Sequence, residues 1–105
     1  MLTLPIKKKW FDMILSGKKK EEYREIKPYY ISRFKNLFFM YPNSGFPMPG
    51  CSRQEILFRN GYSNNSPSFI AECTLDIGEG EEEWGAEKGK EYYILKIEKI
   101  VEKNE

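Results

Sequence analysis

Alternation of apolar and polar side chains predicts that much of this chain forms β-strands. The clearest run covers residues 68–77 (SFIAECTLDI), in which every second side chain, from Phe69 on, is apolar. Successive side chains on a strand point to opposite faces, so this period of two predicts a strand with one face in the core. Residues 91–101 (EYYILKIEKIV) show the same alternation. Shorter strands are predicted at residues 2–6, 20–26 and 54–59.

Apolar residues spaced three and four apart predict two helices. Residues 7–16 (KKKWFDMILS) place Trp10 on an apolar helix face, so Trp10 is expected in the core. Gly17 follows at the position where helices commonly end. Pro28 opens the second helix, because proline is favoured in the first helical turn. The apolar stripe of that helix consists of Tyr30, Phe34, Leu37 and Phe38.

Two segments that follow neither period are predicted as loops. Residues 41–52 (YPNSGFPMPGCS) are rich in proline and glycine, and residues 78–90 (GEGEEEWGAEKGK) are acidic and glycine-containing around Trp84. The predicted order of strand, helix, strand, helix and three strands is typical of an α+β domain. Five strands of this length can close into a small β-barrel, with the two helices flanking an opening.

The length and composition indicate one domain that covers residues 1–105. A chain of 105 residues has room for a single core, and 31% charged residues without a low-complexity block exclude a disordered tail. No apolar run approaches the roughly 20 residues that a membrane helix needs. The first residues also lack the layout of a signal peptide. We therefore expect a cytoplasmic protein that does not associate with membranes.

The absence of histidine removes several kinds of chemistry. A Ser-His-Asp triad, a Cys-His pair and a histidine-ligated zinc ion are all excluded. The two cysteines, Cys51 and Cys73, are too few for a four-thiolate zinc site, and both are expected as ordinary small apolar residues. We expect no metal and no cofactor, and any acid or base must be Lys, Glu, Asp, Tyr or Cys.

Charge is distributed unevenly along the chain, although the net charge is only +1. Residues 1–60 contain 12 Lys and Arg against 5 Asp and Glu, a balance of +7, whereas residues 61–105 contain 5 against 11, a balance of −6. A basic first half indicates an anionic partner such as nucleic acid. The alternative is that the two halves neutralise each other across the fold.

The most distinctive motif is G-x-K-x-x-E-x-R in residues 17–24 (GKKKEEYR), at the predicted junction of the first helix and the second strand. Glu22 and Arg24 are two apart on a strand, so both project to the same face, roughly 6.5–7 Å apart at the backbone. This spacing is compatible with a shared binding pocket. It is also compatible with a plain surface ion pair, which contributes only about 0–1 kcal/mol.

These residues resemble an ASCH domain, named for homology to activating signal cointegrator 1, of the PUA-like superfamily. The resemblance runs from LPIKKKWFDMILSG through KKKEEYREIKPYYISRF and continues weakly to the end, so it covers the whole chain. Within this family, the chain is similar to the small single-domain members of bacteria and phages. The resemblance implies a PUA-like β-barrel of five or six strands, with helices near a cleft and RNA or a nucleotide as the ligand.

In this family the signature residues line the cleft, which here implies ligand binding by Gly17, Lys19, Glu22 and Arg24. Aromatic rings that stack on a base complete the predicted site. Two rings are favoured: Tyr29, which lies off the apolar stripe of the second helix, and Trp84, which lies in a polar loop.

Three functions are compatible with this pattern. The first is binding of RNA or a modified nucleotide, with Arg24 and Lys19 neutralising phosphate and Glu22 accepting hydrogen bonds from a base. The oligomeric state is left open, with a monomer as the default. The second is hydrolysis of an N4-acylated cytidine, as in some ASCH relatives that use a Lys, a Thr and a distant Glu. Lys19 matches that Lys, Glu22 stands where those relatives have Thr, and these two would be the catalytic residues. The third is a protein-interaction module that uses the acidic residues 79–91.

Overall fold

The computed structural model describes residues 1–48 and 53–105, so the expectation for Cys51 lies outside the described residues. The described chain forms five strands, two α-helices and one 3-10 turn. The strands are β1 (Leu2–Pro5), β2 (Glu21–Arg24), β3 (Gln54–Arg59), β4 (Ser68–Glu79) and β5 (Glu91–Asn104). The helices are α1 (Lys8–Leu15) and α2 (Pro28–Lys35), and the 3-10 turn is Glu82–Trp84.

The five strands form one mixed sheet in the order β1-β3-β4-β5-β2. β1 runs parallel to β3, and the other three neighbouring pairs are antiparallel. The long β4–β5 ladder is the centre of the sheet. The edges are β1, which precedes α1, and β2, which precedes α2. The α+β class expected from the order of elements is confirmed.

The sheet does not close into a barrel, which corrects that part of the prediction. β1 and β2 are its two edges, and no ladder joins them within the described ranges. Each of them has four residues, and Pro5 at the end of β1 has no N–H to donate. A side chain crosses the gap instead, because Nη2 of Arg24, at the end of β2, donates to the carbonyl oxygen of Pro5 at 2.6 Å.

The core lies between one face of the sheet and the two helices. The alternation predicted for β4 is confirmed, because Phe69, Ala71, Cys73 and Leu75 are buried. On β5, Tyr93 and Leu95 are buried, but Tyr92 and Ile94 on the opposite face are buried as well, so burial there does not alternate. The helices add Phe11, Ile14 and Phe34. Trp10 was expected in the core as well, but it is only half-buried and packs against the core from outside.

The turn after α1 determines where the motif residues lie. Gly17 has φ +83°, a left-handed conformation that glycine adopts without strain. The backbone N–H groups of Lys18 and Lys19 then both donate to the Met13 carbonyl oxygen, at 2.9 and 3.0 Å. The chain thus reverses tightly, and β2 begins two residues after Lys19, at Glu21.

The two helices of eight residues are far too short to cross a bilayer, and the described residues contain no other helix long and apolar enough to do so.

Candidate ligand-binding cleft

A cleft of about 410 Å³ opens between β2, the first turns of both α-helices and the loop that contains the 3-10 turn. Each helix reaches the cleft at its N-terminal end, because Lys7 precedes α1, Lys27 precedes α2, and both lysines line the cleft. Aromatic rings make up much of the remaining wall. They are Trp10, Tyr23, Tyr30, Trp84 and Tyr92.

Glu22 lines the cleft and binds two cations at once. The residue is only 4% exposed. Lys19 Nζ lies 3.0 Å from Oε1, and Arg24 Nη1 lies 2.5 Å from Oε2. The same-face arrangement of Glu22 and Arg24 expected from their spacing is therefore present. Since such enclosed charges need partners, the three residues form one interdependent network.

Lys19 lies behind the cleft wall rather than in it. Its side chain is 0% exposed, and it is not among the side chains that line the cleft. Nζ donates to the carbonyl oxygen of Trp84 at 2.7 Å and lies 4.9 Å from the ring centres of both Trp10 and Tyr23. Burial lowers the pKa of Lys19, although Glu22 acts in the opposite direction. The ammonium group thus supports two aromatic walls of the cleft.

Arg24 joins β2 to β1 as well as to Glu22. Its side chain is 11% exposed. Besides the Glu22 bond, Nη1 donates to the Tyr23 carbonyl oxygen at 2.8 Å, and Nη2 donates to that of Pro5 at 2.6 Å. The guanidinium group is therefore held in one orientation by a carboxylate and two backbone carbonyls, which a lysine ammonium could not reproduce.

The loop between β4 and β5 is held against the cleft by side-chain hydrogen bonds. Trp84 Nε1 donates to the Lys18 carbonyl oxygen at 3.0 Å, and this complements the Lys19 bond to the Trp84 carbonyl. The hydroxyl oxygen of Tyr23 accepts from the Glu81 backbone N–H at 2.9 Å, and that of Tyr92 accepts from the Glu87 N–H at 3.0 Å. Burial raises the pKa of Tyr23, so its hydroxyl stays protonated and able to donate to Glu21.

Gly85 allows this loop to approach α1 closely. It has φ +103°, and a Cβ atom there would lie 3.0 Å from the Trp10 ring. Any other residue at this position would therefore be strained and would displace the indole. The glycine brings the Trp84 segment into direct contact with Trp10.

Charged side chains in the cleft differ in whether they are paired. Lys90 Nζ lies 3.9 Å from a Glu25 carboxylate oxygen, and Arg24 binds Glu22 as described. Lys7 and Lys27 form no ion pair with any described residue. Lys27 Nζ lies 5.6 Å from the centre of the Tyr30 ring. These two lysines are the cationic groups that a ligand could bind without displacing a protein partner.

The structure brings together four of the residues predicted for the site. Glu22, Arg24 and Trp84 line the cleft, and Lys19 contacts two of them from behind. Trp84 is held at both its indole N–H and its backbone carbonyl, so it is a fixed part of the wall.

Gly17 and Tyr29 lie apart from the cleft. Gly17 borders a separate groove beside β5. Its left-handed conformation in the turn after α1 explains why a glycine occupies this position. Tyr29 is 52% exposed; its ring packs against the Arg33 guanidinium at 3.5 Å and edge-on against Tyr30 at 4.9 Å. Tyr30, which the sequence placed on an apolar stripe, is the ring of this helix that lines the cleft.

Sequence reasoning missed Trp10, Tyr30, Lys7 and Lys27 as cleft residues. A signal was available, because each helix begins within four residues of the end of an edge strand. The first turns of both helices are consequently held near the strand ends where Arg24 and Pro5 meet. The short links place each helix start near the end of its own strand, but the four residues form one cleft only because the ends of β1 and β2 are neighbours.

No group of three or more acidic or cysteine side chains in the described residues is arranged to hold a metal ion. None of the protein-family models, curated proteins or solved structures compared with this chain matches it.

Proposed function

We propose that the cleft binds a nucleotide unit, either within RNA or as a free nucleotide, modified or unmodified. One observation carries the proposal: a cleft of about 410 Å³ combines aromatic walls with two lysines, Lys7 and Lys27, that form no ion pair with any described residue. Aromatic side chains stack on nucleobases, and lysine neutralises phosphate.

Glu22 adds a hydrogen-bond acceptor to this arrangement. Each carboxylate oxygen can accept more than the single bond it receives from Lys19 or Arg24. A base with an exocyclic amino group could therefore donate to Glu22 while its ring stacks on a neighbouring aromatic side chain. This supports a base-recognition role for Glu22 and an orienting role for Arg24.

We also propose that the chain is an ASCH-like, PUA-like domain whose barrel is open between β1 and β2. The G-x-K-x-x-E-x-R motif supports this, because Glu22 and Arg24 line the cleft and Lys19 contacts Glu22 from behind its wall. The Arg24–Pro5 hydrogen bond occupies the place where a closed barrel would have a β1–β2 ladder.

Hydrolysis of an N4-acylated cytidine is a second candidate, favoured by the lowered pKa of Lys19. The position of Nζ weakens it, since the Glu22 carboxylate, the Trp84 carbonyl and two aromatic rings surround the amine. Incubation with N4-acetylcytidine and analysis for free cytidine separates the two proposals. If the protein releases cytidine and the Lys19→Met variant does not, the hydrolysis proposal replaces the binding proposal. The protein-interaction hypothesis for residues 79–91 stays a prediction.

Tryptophan fluorescence provides a direct binding test, because the two tryptophans of the chain both line the cleft. Titration with nucleoside monophosphates and short RNAs should quench the emission of Trp10 and Trp84. Tyr30→Ala should weaken binding about 5- to 150-fold, the range for loss of one stacked ring. Tyr62→Ala is the matched control, since Tyr62 is 91% exposed and outside the cleft. The proposal fails if no nucleotide or RNA changes the emission.

A further inference from the structure

The cleft lining has two parts of different charge. The first turns of α1 and α2 contribute Lys7 and Lys27, which have no ion-pair partner among the described residues. The loop between β4 and β5 contributes Glu87 and also Lys90, whose charge is paired with Glu25 at 3.9 Å. The exposed residues 81–83 (EEE) come shortly before Glu87 in the same loop. We call these two parts the lysine side and the acidic side.

We propose that Lys7 and Lys27 form a subsite for a terminal phosphate, so that the ligand is a nucleoside monophosphate or the phosphorylated end of an RNA. This inference rests on the proposed function and specifies which nucleotide-containing molecule the cleft accepts. A single phosphate fits the lysine side, because two ammonium groups balance the approximately two negative charges of a phosphate monoester.

Backbone geometry on the lysine side also favours an anion. Lys7 and Lys27 are the N-cap residues of the two helices, and neither helix start has a side-chain cap hydrogen bond. Helix starts carry unsatisfied N–H groups and the positive end of the helix dipole. Both starts border the same cleft together with Lys7 and Lys27, which form no ion pair with any described residue, so helix geometry and side-chain charge both favour an anion on this side.

The acidic side argues against an internal stretch of RNA. An RNA strand that entered at the lysine side and continued through the cleft would bring further phosphates next to Glu87, in a loop whose residues 81–83 are also acidic. Charges within about 8 Å of each other interact appreciably at physiological ionic strength. The hydrogen bonds that hold this loop also limit its ability to move aside. A ligand with one phosphate avoids this repulsion.

The test compares four probes by tryptophan fluorescence in low-salt buffer. These are a nucleoside, its 5′-monophosphate, and an RNA of about twelve nucleotides of the same base, with and without a 5′-phosphate. We expect the monophosphate to bind at least about ten-fold more tightly than the nucleoside, as expected for charged hydrogen bonds. The 5′-phosphorylated RNA should bind like the monophosphate, and the unphosphorylated RNA like the nucleoside.

Variants identify the residues responsible. The double variant Lys7→Gln/Lys27→Gln should abolish the advantage of the monophosphate over the nucleoside, and a cooperative thermal unfolding curve shows that the variant is folded. The matched control is Lys8→Gln/Lys35→Gln, which removes the same charge at residues that do not line the cleft. This control should retain the difference between the monophosphate and the nucleoside.

Each alternative outcome has a distinct meaning. Equal affinity for nucleoside and monophosphate would overturn the phosphate subsite but leave the proposed function standing. Tighter binding of the unphosphorylated RNA than of the monophosphate would show that the cleft accepts an internal strand, and would also overturn the inference. If none of the four probes binds, the proposed function itself is wrong.

Discussion

Glu22 is the carboxylate that pairs with both enclosed cations of this site. It lies between Lys19 and Arg24, and all three side chains are almost completely enclosed. The Glu22–Arg24 contact followed from local spacing on a strand. The burial of Lys19 did not, because its ammonium group is enclosed by Trp84, which lies 65 residues away along the chain.

Replacing Glu22 should therefore be far more damaging than replacing Lys19. Glu22→Gln leaves a buried ammonium group without an anion, which costs about 3–5 kcal/mol of unfolding free energy. Lys19→Met should cost less, because it removes the buried charge and Glu22 keeps its bond to Arg24. Urea unfolding measures both. Glu25→Gln is the control, since its pair with Lys90 is exposed and contributes about 0–1 kcal/mol. Equal effects of Glu22→Gln and Glu25→Gln would contradict the network.

Cys73 should make the protein sensitive to alkaline pH. Burial raises the pKa of its thiol to about 12 from an ordinary value of 9.0. Above pH 9 the unfolded thiol loses its proton while the folded thiol keeps it, so stability falls as the pH rises, by up to about 1.4 kcal/mol per pH unit. Lys19 acts in the opposite sense, because its lowered pKa adds stability as the pH rises towards 10.5.

Comparing two variants isolates this effect. Cys51→Ser and Cys51→Ser/Cys73→Ala share the Lys19 contribution, which cancels. Urea unfolding at pH 8 and pH 10 should show a stability loss about 1 kcal/mol smaller in the double variant. Identical pH dependence in the two variants would show that the thiol is not protected from ionisation.

At the scale of elements, the loop between β4 and β5 is the part of the site most open to a clean test. Gly85→Ala forces a side chain into left-handed backbone and places Cβ 3.0 Å from the Trp10 ring. Gly89 in the same loop has φ +79° with nothing within 4 Å of the added atom, so Gly89→Ala introduces the backbone strain alone.

We expect the two substitutions to differ in their effect on the cleft. Both should lose about 1–2 kcal/mol of stability from the left-handed conformation. Gly85→Ala should also shift the tryptophan emission and weaken nucleotide binding, because it separates the Trp84 segment from Trp10. Thermal unfolding and fluorescence titration of both variants measure the difference. If Gly89→Ala weakens binding as much, the close packing on Trp10 is not what shapes the cleft.

Strands were predictable where one face is buried, and their ends were not. The alternation in β4 and β5 identified both strands, yet β4 extends to Glu79 and β5 to Asn104, past the predicted ends. These polar ends remain in the sheet because each pairs with the other strand, which side-chain polarity does not report. The motif predicted Glu22 and Arg24 as cleft residues. The rest of the wall could not be predicted in this way, because it depends on which distant elements pack together.

At the scale of the whole molecule, the two edges of the sheet are joined by side-chain chemistry in place of a backbone ladder. The Arg24 guanidinium bonds to the Pro5 carbonyl on β1 and to Glu22 and the Tyr23 carbonyl on β2. The cleft opens where these edges meet, since Pro5 and Arg24 both line it. Its shape therefore depends on a contact between strands that are neighbours in space but at opposite ends of the sheet order.

Arg24→Lys tests this connection. Lysine keeps the charge and can still pair with Glu22, but it cannot reach two carbonyls and a carboxylate with a planar fork. We expect a loss of about 1–3 kcal/mol in unfolding free energy and faster amide hydrogen exchange in β1 and β2, with β4 and β5 unchanged. Arg33→Lys is the control, because Arg33 bonds only locally, to the Tyr29 ring and carbonyl, among the described contacts. Hydrogen exchange that stays unchanged in β1 would mean that the edges are held together by the core alone. The Arg24 fork would then serve the ligand and not the fold.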